Sequence, residues 1–174
     1  MSYAAWSVIA GEQPTTSKWN ILGANDSSFN DGTGIGNAVI TANKLATGAA
    51  AATVATSQTT ASTSYVDLGT VGPAVTVTIG ANGLALATVY ALTSNDTINS
   101  ANIMSFAVSG ATTVAAADNF AFIMRAHTAA QSSAASATFL VTGLTAGSNT
   151  FTAKYDVNAG TGTWLNRRIS VIPL

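Results

Sequence analysis

Residues 149–157 read Asn-Thr-Phe-Thr-Ala-Lys-Tyr-Asp-Val (NTFTAKYDV). Phe151, Ala153, Tyr155 and Val157 share one side of an extended chain, with Thr152, Lys154 and Asp156 on the other. A period of two with one apolar side is what a β-strand with one buried face requires. The stretch 73–80 (PAVTVTIG) repeats the pattern, with Val75, Val77 and Ile79 opposite Thr76 and Thr78.

Working outward from these two, short apolar runs recur from residue 64 to the C-terminus. They predict strands at 64–69, 73–80, 84–92, 103–109, 119–126, 136–143, 149–157 and 163–172. Turn chemistry separates them. Ala81-Asn82-Gly83 reads as a hairpin, since Asn-Gly tolerates the positive φ of a primed turn. Residues 146–149 (AGSN) and 158–162 (NAGTG) do similar work. The longer gaps, 93–102 and 127–135, read as exposed loops where a sandwich keeps recognition. No helical period interrupts the series. The expected class is all-β: a jelly-roll-like antiparallel β-sandwich of about eight strands with an extended N-terminal arm. An immunoglobulin-like sandwich is the near alternative, without its Cys…Trp…Cys signature.

Before residue 64 the reading changes. Residues 1–36 form a candidate docking arm carrying two of the 3 Trp residues. The stretch 12–22 (EQPTTSKWNIL) predicts a short helix with Thr15 or Thr16 as its N-cap. Residues 25–36 (NDSSFNDGTGIG) read as loop. Trp6, Val8, Ile9, Trp19, Ile21, Leu22 and Phe29 give the arm apolar surface without a core of its own. Such a segment must bury itself on its own sandwich, a neighbouring subunit or another protein. Residues 37–63 read as a connector. Within it, 48–63 is low-complexity Ala/Thr/Ser, a linker or the lead-in to the first strand. The sandwich is expected over 64–174.

Charge narrows the function. Only 7% of the 174 residues are charged and the net charge is -1, against about 25% charged in an average globular protein. There is no basic field for a phosphate backbone, so nucleic acid is not an expected partner. A neutral surface of Thr, Ser and Asn is easily desolvated and favours close packing between subunits. Cys is absent, which excludes a disulfide framework and a thiolate metal site. No stretch has the length and hydropathy of a membrane span, and residues 1–10 lack a secretory pattern, so cytoplasmic synthesis and no membrane partner are expected.

Catalytic constellations are hard to assemble. The lone His127 borders the Ala/Ser-rich 127–135 stretch and reads as a solvated loop residue. The seven acids, Glu12, Asp26, Asp31, Asp67, Asp96, Asp118 and Asp156, are spread singly rather than in glycosidase-like pairs. Residues 25–32 offer oxygen ligands at short spacing but lack the EF-hand pattern, so Asx turns are expected instead of Ca²⁺. Gly32 to Gly36 does not follow a strand and has no Lys in the P-loop position. Asn25-Asp26-Ser27 and Asn95-Asp96-Thr97 match the glycosylation pattern by chance. No enzyme, cofactor or metal is expected.

Arg167-Arg168 in the last predicted strand stands out. Unless a bulge intervenes, alternation turns one of them inward beside Leu165 and Ile169. A buried Arg needs a carboxylate or several carbonyls. Asp67, Asp118 and Asp156 are the candidate partners within the chain; an inter-subunit ion pair is the other reading, with contact to a host ligand a third.

The segment 136–174, with T-F-x-A-K-Y at Thr150 to Tyr155 and N-R-x-I-x-V-x-P at Asn166 to Pro173, resembles the C-terminal sandwich of tailed-bacteriophage structural proteins. Residues 74–79 (AVTVTI) and 104–110 (MSFAVSG) are similar to the same module, and 36–48 (GNAVITANKLATG) to the initiating segment of phage appendages. Residues 6–31 are similar to short virion-attachment ends of the W-x-x-G-E…W-N-I-L type. The resemblance implies a homotrimeric virion protein located on the particle: a capsid decoration or cement protein, or a head fibre, docked on the major capsid protein or another virion protein. Its docking residues would be Trp6, Val8, Ile9, Trp19, Ile21, Leu22 and Phe29. Each large side chain fully buried in a shell groove contributes roughly 1.5–3 kcal/mol, multiplied by trimerisation. A tail-fibre tip or host-receptor module is the alternative, with a host surface glycan as partner; the 93–102 and 127–135 loops contain no aromatic side chain for sugar stacking. A cellular adhesin fits less well, because residues 1–10 lack a secretory pattern.

Overall fold

The computed structural model describes residues 13, 15–17, 19–20 and 48–174. The chain divides into two compact units, Met1–Leu45 and Ala46–Leu174. In the first, the described backbone is helical at 16–17 and 19–20. The Trp19 N–H donates to the Thr15 carbonyl at 3.1 Å, one helical turn in the stretch where a short helix is expected.

The second unit is a two-sheet sandwich. Its elements are β1 (Ala50–Val54), β2 (Gln58–Thr60), β3 (Ala74–Ile79), β4 (Ala85–Asn95), β5 (Ala101–Gly110), a 3₁₀ turn (Asp118–Phe120), β6 (Phe122–Arg125), β7 (Ser133–Val141), β8 (Gly147–Val157) and β9 (Gly162–Pro173). One sheet runs β1-β9-β4-β7, with β2 also paired to β9; the other runs β3-β8-β5-β6. Every pairing between the strands is antiparallel. From β2 onward the chain crosses between sheets at each step except β5 to β6. That order is a jelly roll, as the periodicity predicts, and not an immunoglobulin-like sandwich.

Alternation does the folding. Val75, Val77 and Ile79 on β3 and Phe151, Ala153, Tyr155 and Val157 on β8 are all buried. Small residues on β4 (Ala85, Ala87, Ala91) share the core with bulky Met104, Phe106 and Phe151 from the facing sheet. Small against large lets two sheets approach and still fill the space between them. An aromatic chain ties the layers together: Phe106 of β5 lies 5.6 Å from Phe151 of β8 and 5.3 Å from Phe120. Phe120 in turn meets Phe139 of β7 edge-on at 6.0 Å.

Three expectations change. The strand expected at 64–69 is a single bridge, Val66 to Tyr155, and the edge strand beside β9 is supplied by β1 and β2. These lie in the Ala/Thr/Ser stretch, whose lack of bulk suits an edge position where one face is open. The sheet thus begins at Ala50, inside the expected connector. Second, Ala81-Asn82-Gly83 makes a turn but no hairpin, because β3 and β4 belong to different sheets. The Gly83 N–H bonds the Gly80 carbonyl at 3.1 Å, and Gly83 takes φ 67° after the turn. Asn-Gly reports a positive φ; it does not report which strands pair. Third, the 93–102 loop is shorter than expected. Asn95 closes β4 and is 2% exposed, donating to Asn102 Oδ1 at 2.9 Å and to the Ala159 carbonyl at 3.1 Å. Its amide is committed to the interior, in keeping with the reading of Asn95-Asp96-Thr97 as a chance match.

Candidate functional site: the bulge on β9 and its groove

Trp164, Arg167, Ile169 and Val171 are each fully buried, while Asn166 and Arg168 are exposed. This breaks simple alternation. Between the pairs Tyr90–Arg168 and Leu92–Leu165, one residue of β4 (Ala91) faces two of β9, Asn166 and Arg167. Asn166 absorbs the extra residue at φ 50°, in the left-handed region that Asn tolerates better than most side chains. Leu165 therefore pairs with Leu92 on the outer side, and Arg167 points inward with Ile169.

Arg167 makes no ion pair among the described residues. Its guanidinium donates to Gln58 Oε1 at 2.9 Å, to the Gly72 carbonyl at 3.2 Å and to the Thr70 carbonyl at 3.4 Å. Its Cζ lies 5.3 Å from the centre of the Tyr155 ring. The Tyr155 hydroxyl donates to the same Gly72 carbonyl at 2.9 Å, and burial pushes that hydroxyl above the usual tyrosine range. Of the two ways to satisfy a buried Arg, carbonyls and a side-chain amide replace the carboxylate. The group works as a clamp that fastens β2 and the residues leading into β3 to the core.

The expected carboxylate partners are occupied elsewhere. Asp67 pairs with Lys154 at 2.7 Å, and Asp118 accepts from the Tyr65 hydroxyl at 2.7 Å. Burial, followed by the charge of Asp118, raises the Asp156 carboxyl above its ordinary range. Burial likewise raises the Tyr65 hydroxyl, with the bond to Asp118 second. Along the sequence these acids are dispersed. Folding gathers them around Lys154, because Lys154 and Asp156 share the outer face of β8 and Tyr65 and Asp67 flank the Val66–Tyr155 bridge. Among the described residues, no group of three His, Cys, Asp or Glu could hold a metal ion. The 25–32 stretch lies outside the described residues.

Arg168 has a different setting. It projects from the outer face of the five-stranded sheet into a groove of about 500 Å³ lined by Thr53, Thr88, Tyr90, Asn166, Arg168 and Ser170. Register builds this lining: Tyr90 pairs with Arg168 and Thr88 with Ser170 across β4 and β9, and Thr53 of β1 pairs with Arg168 from the other side. The bulge adds Asn166 at the rim. Chemically the groove offers one cation, one phenol, one amide and three aliphatic hydroxyls. Among the described residues, no hydrogen bond or ion pair engages Arg168.

Two rows along the sheet the character is apolar. Leu140, Leu86 and Ile172 stand side by side across β7, β4 and β9. Leu140 is 54% exposed and Ile172 44%. The remaining outward residues of these strands are Ala, Ser, Thr and Leu, so among the described residues Arg168 is the one ionised side chain on this face.

Of the expected docking residues, Trp19 is described and exposed; Trp6, Val8, Ile9, Ile21, Leu22 and Phe29 lie outside the described residues. His127 is exposed in the 126–132 connection. The groove is not legible in the sequence, because its residues come from β1, β4 and β9. Only the adjacent Arg pair signalled it.

No family model and no curated protein matches the chain. Among solved structures, the Eiger TNF of S. frugiperda is similar at 12% identity with a TM-score of 0.49, covering 72% of this chain and 91% of that one. Dimeric latent PorU from Porphyromonas gingivalis is similar at 12% identity with a TM-score of 0.30, covering 69% of this chain and 13% of that one. Likeness at this level carries no inference about activity or partners, and the jelly-roll assignment rests on the strand order itself.

Proposed function

We propose that the chain is a non-enzymatic structural subunit of a phage particle, a capsid decoration, cement or head-fibre protein. It assembles as a homotrimer and anchors through its N-terminal arm. The observation that carries this reading is the apolar row Leu140–Leu86–Ile172, continued by exposed Leu174, on a sheet face with a single charge. Uncovered apolar strips on a nearly neutral face favour contact with further copies. The resemblance of residues 136–174 to phage sandwiches supplies the setting, and the division of the chain into two compact units, Met1–Leu45 and Ala46–Leu174, is compatible with an arm.

Sedimentation equilibrium of the purified protein tests the assembly: a trimer is expected, and a monomer at micromolar concentration defeats the reading. Co-pelleting with capsids tests the anchor. Deleting residues 1–36 is expected to abolish pelleting while leaving the trimer intact, and undiminished pelleting contradicts a docking arm.

A further inference from the structure

The groove at the bulge has the makings of a ligand site that anchoring does not require. Its lining is a sharp chemical filter. A nucleic acid or polyphosphate needs several cations, and the groove has one. An aliphatic peptide needs apolar walls, whereas Thr53, Thr88, Ser170 and Asn166 present hydroxyls and an amide. One cation among neutral hydrogen-bonding groups, beside an aromatic ring, matches a ligand with one negative charge among many hydroxyls.

We infer that this groove binds an acidic saccharide, a pyranose carrying a single carboxylate such as a uronic acid unit of a surface polysaccharide. Arg168 takes the carboxylate in a two-pronged contact, the geometry for which guanidinium is suited. Among the described residues no acid pairs with it: Asp67, Asp118 and Asp156 belong to the other sheet's cluster with Lys154 and Tyr65, and Asp96 is held by Thr97 and Thr161. Tyr90 supplies a ring for the apolar face of the sugar, with its hydroxyl left to bond the rim. Thr53, Thr88, Ser170 and Asn166 match the sugar hydroxyls, each able to donate and accept. A volume of about 500 Å³ falls within the range of small-ligand clefts. The aromatic platform sits on a strand and not in the 93–102 or 127–135 loops, which contain no aromatic side chain.

The bulge is what makes the arrangement possible. Without the extra residue, Trp164 and Arg167 could not both face the core, and Asn166 would not stand at the rim. The Leu140–Leu86–Ile172 row lies four residues along β4 from Tyr90, about 14 Å at the rise of an antiparallel strand. The inference does not rest on the anchoring role, and either can fail alone.

The test uses the full chain, titrated with methyl galacturonoside, which carries one carboxylate, and, in parallel, with neutral methyl galactoside, while amide shifts are followed by NMR. Saturable shifts confined to Thr53, Thr88, Tyr90, Asn166, Arg168 and Ser170 are expected with the acidic sugar, and at least about tenfold weaker binding with the neutral one. Arg168→Gln should lower acidic-sugar affinity by about tenfold or more while leaving the spectrum otherwise folded, since Arg168 is exposed. Tyr90→Ala should weaken both sugars. The inference is overturned by no saturable shift at millimolar sugar, by shifts mapping to another face, by equal affinity in Arg168→Gln, or by protection of Tyr90 and Arg168 beneath a second copy in the oligomer.

Discussion

Trp164 and Arg167, three residues apart on β9, are both fully buried and both face the same core. A regular strand sends residues three apart to opposite sides. Asn166 at φ 50° reconciles them by taking the extra residue of a β-bulge. Tyr155 fills the space beside both, 5.3 Å edge-on from the Trp164 ring and 5.3 Å beneath the Arg167 guanidinium.

The conformation of Asn166 sets the first expectation. Asn166→Gly should be nearly neutral, because glycine reaches the left-handed region freely. Asn166→Val should cost roughly 1–2 kcal/mol, since a β-branched side chain is strained there. Deleting Asn166 should cost far more, as either Trp164 or Arg167 would have to leave the core. Urea denaturation of the three variants gives the order, and a Val variant as stable as the Gly variant would contradict the bulge.

Arg167 provides the second. Arg167→Met keeps length but leaves the Thr70 carbonyl and Gln58 Oε1 without this donor. Gln58 Oε1 keeps the Thr70 N–H and the Gly72 carbonyl keeps the Tyr155 hydroxyl, so what is lost is the charge-assisted bonds themselves, and a loss of about 1.5–3 kcal/mol is expected. Arg167→Lys should recover only part, because an ammonium cannot reproduce a planar fork to three acceptors. Hydrogen exchange should accelerate first across residues 58–73, the segment the guanidinium fastens. Uniform acceleration over the whole sandwich would mean that Arg167 is core filling and not a clamp.

Much of this architecture was legible in the sequence. Clean alternation at Val75–Val77–Ile79 and Phe151–Ala153–Tyr155–Val157 placed β3 and β8 and made the class all-β, because a period of two is a local property. The edge position of β1 and β2 was not legible, because Ala, Thr and Ser on a half-open edge leave no strong hydrophobic alternation. Nor was the pairing after Asn82-Gly83, which depends on which sheet each strand joins. Arg167-Arg168 announced something unusual, and the possibility of a bulge was visible. Its position was not, because it follows from β4 register. Asp118 and Asp156 looked isolated in a chain with so few charges; only the third dimension brings them together.

Gly83 and Gly143 form a matched pair for the third expectation. Both take positive φ, 67° and 72°. A Cβ on Gly83 would lie 2.6 Å from the Leu144 carbonyl oxygen, whereas one on Gly143 meets nothing within 4 Å. Gly143→Ala should therefore cost about 1 kcal/mol of conformational strain alone. Gly83→Ala adds a backbone collision and should cost roughly 2–3 kcal/mol. The difference between the two unfolding free energies isolates the close approach of the β3–β4 turn to Leu144, and equal losses would show that the approach relaxes freely.

Asp156 gives a pH dependence whose sign follows from its raised carboxyl pKa. The folded state then holds this proton to higher pH than the unfolded state does. As pH rises through the carboxylate range, the folded form must ionise a partly buried group beside Asp118, so this residue lowers stability once that range is passed. Asp96 acts the other way: the Thr161 N–H, followed by the Thr97 hydroxyl, holds it below its usual range, so its contribution is present at neutral pH and lost in acid. Asp156→Asn removes the first effect and leaves the second untouched. Melting curves of the wild type and this variant between about pH 3 and pH 7 should show a higher Tm for the variant at neutral pH. That gap should close as the wild-type carboxyl becomes protonated in acid. A variant less stable than the wild type at neutral pH would mean that Asp156 is held by favourable contacts, and that burial and Asp118 do not govern it.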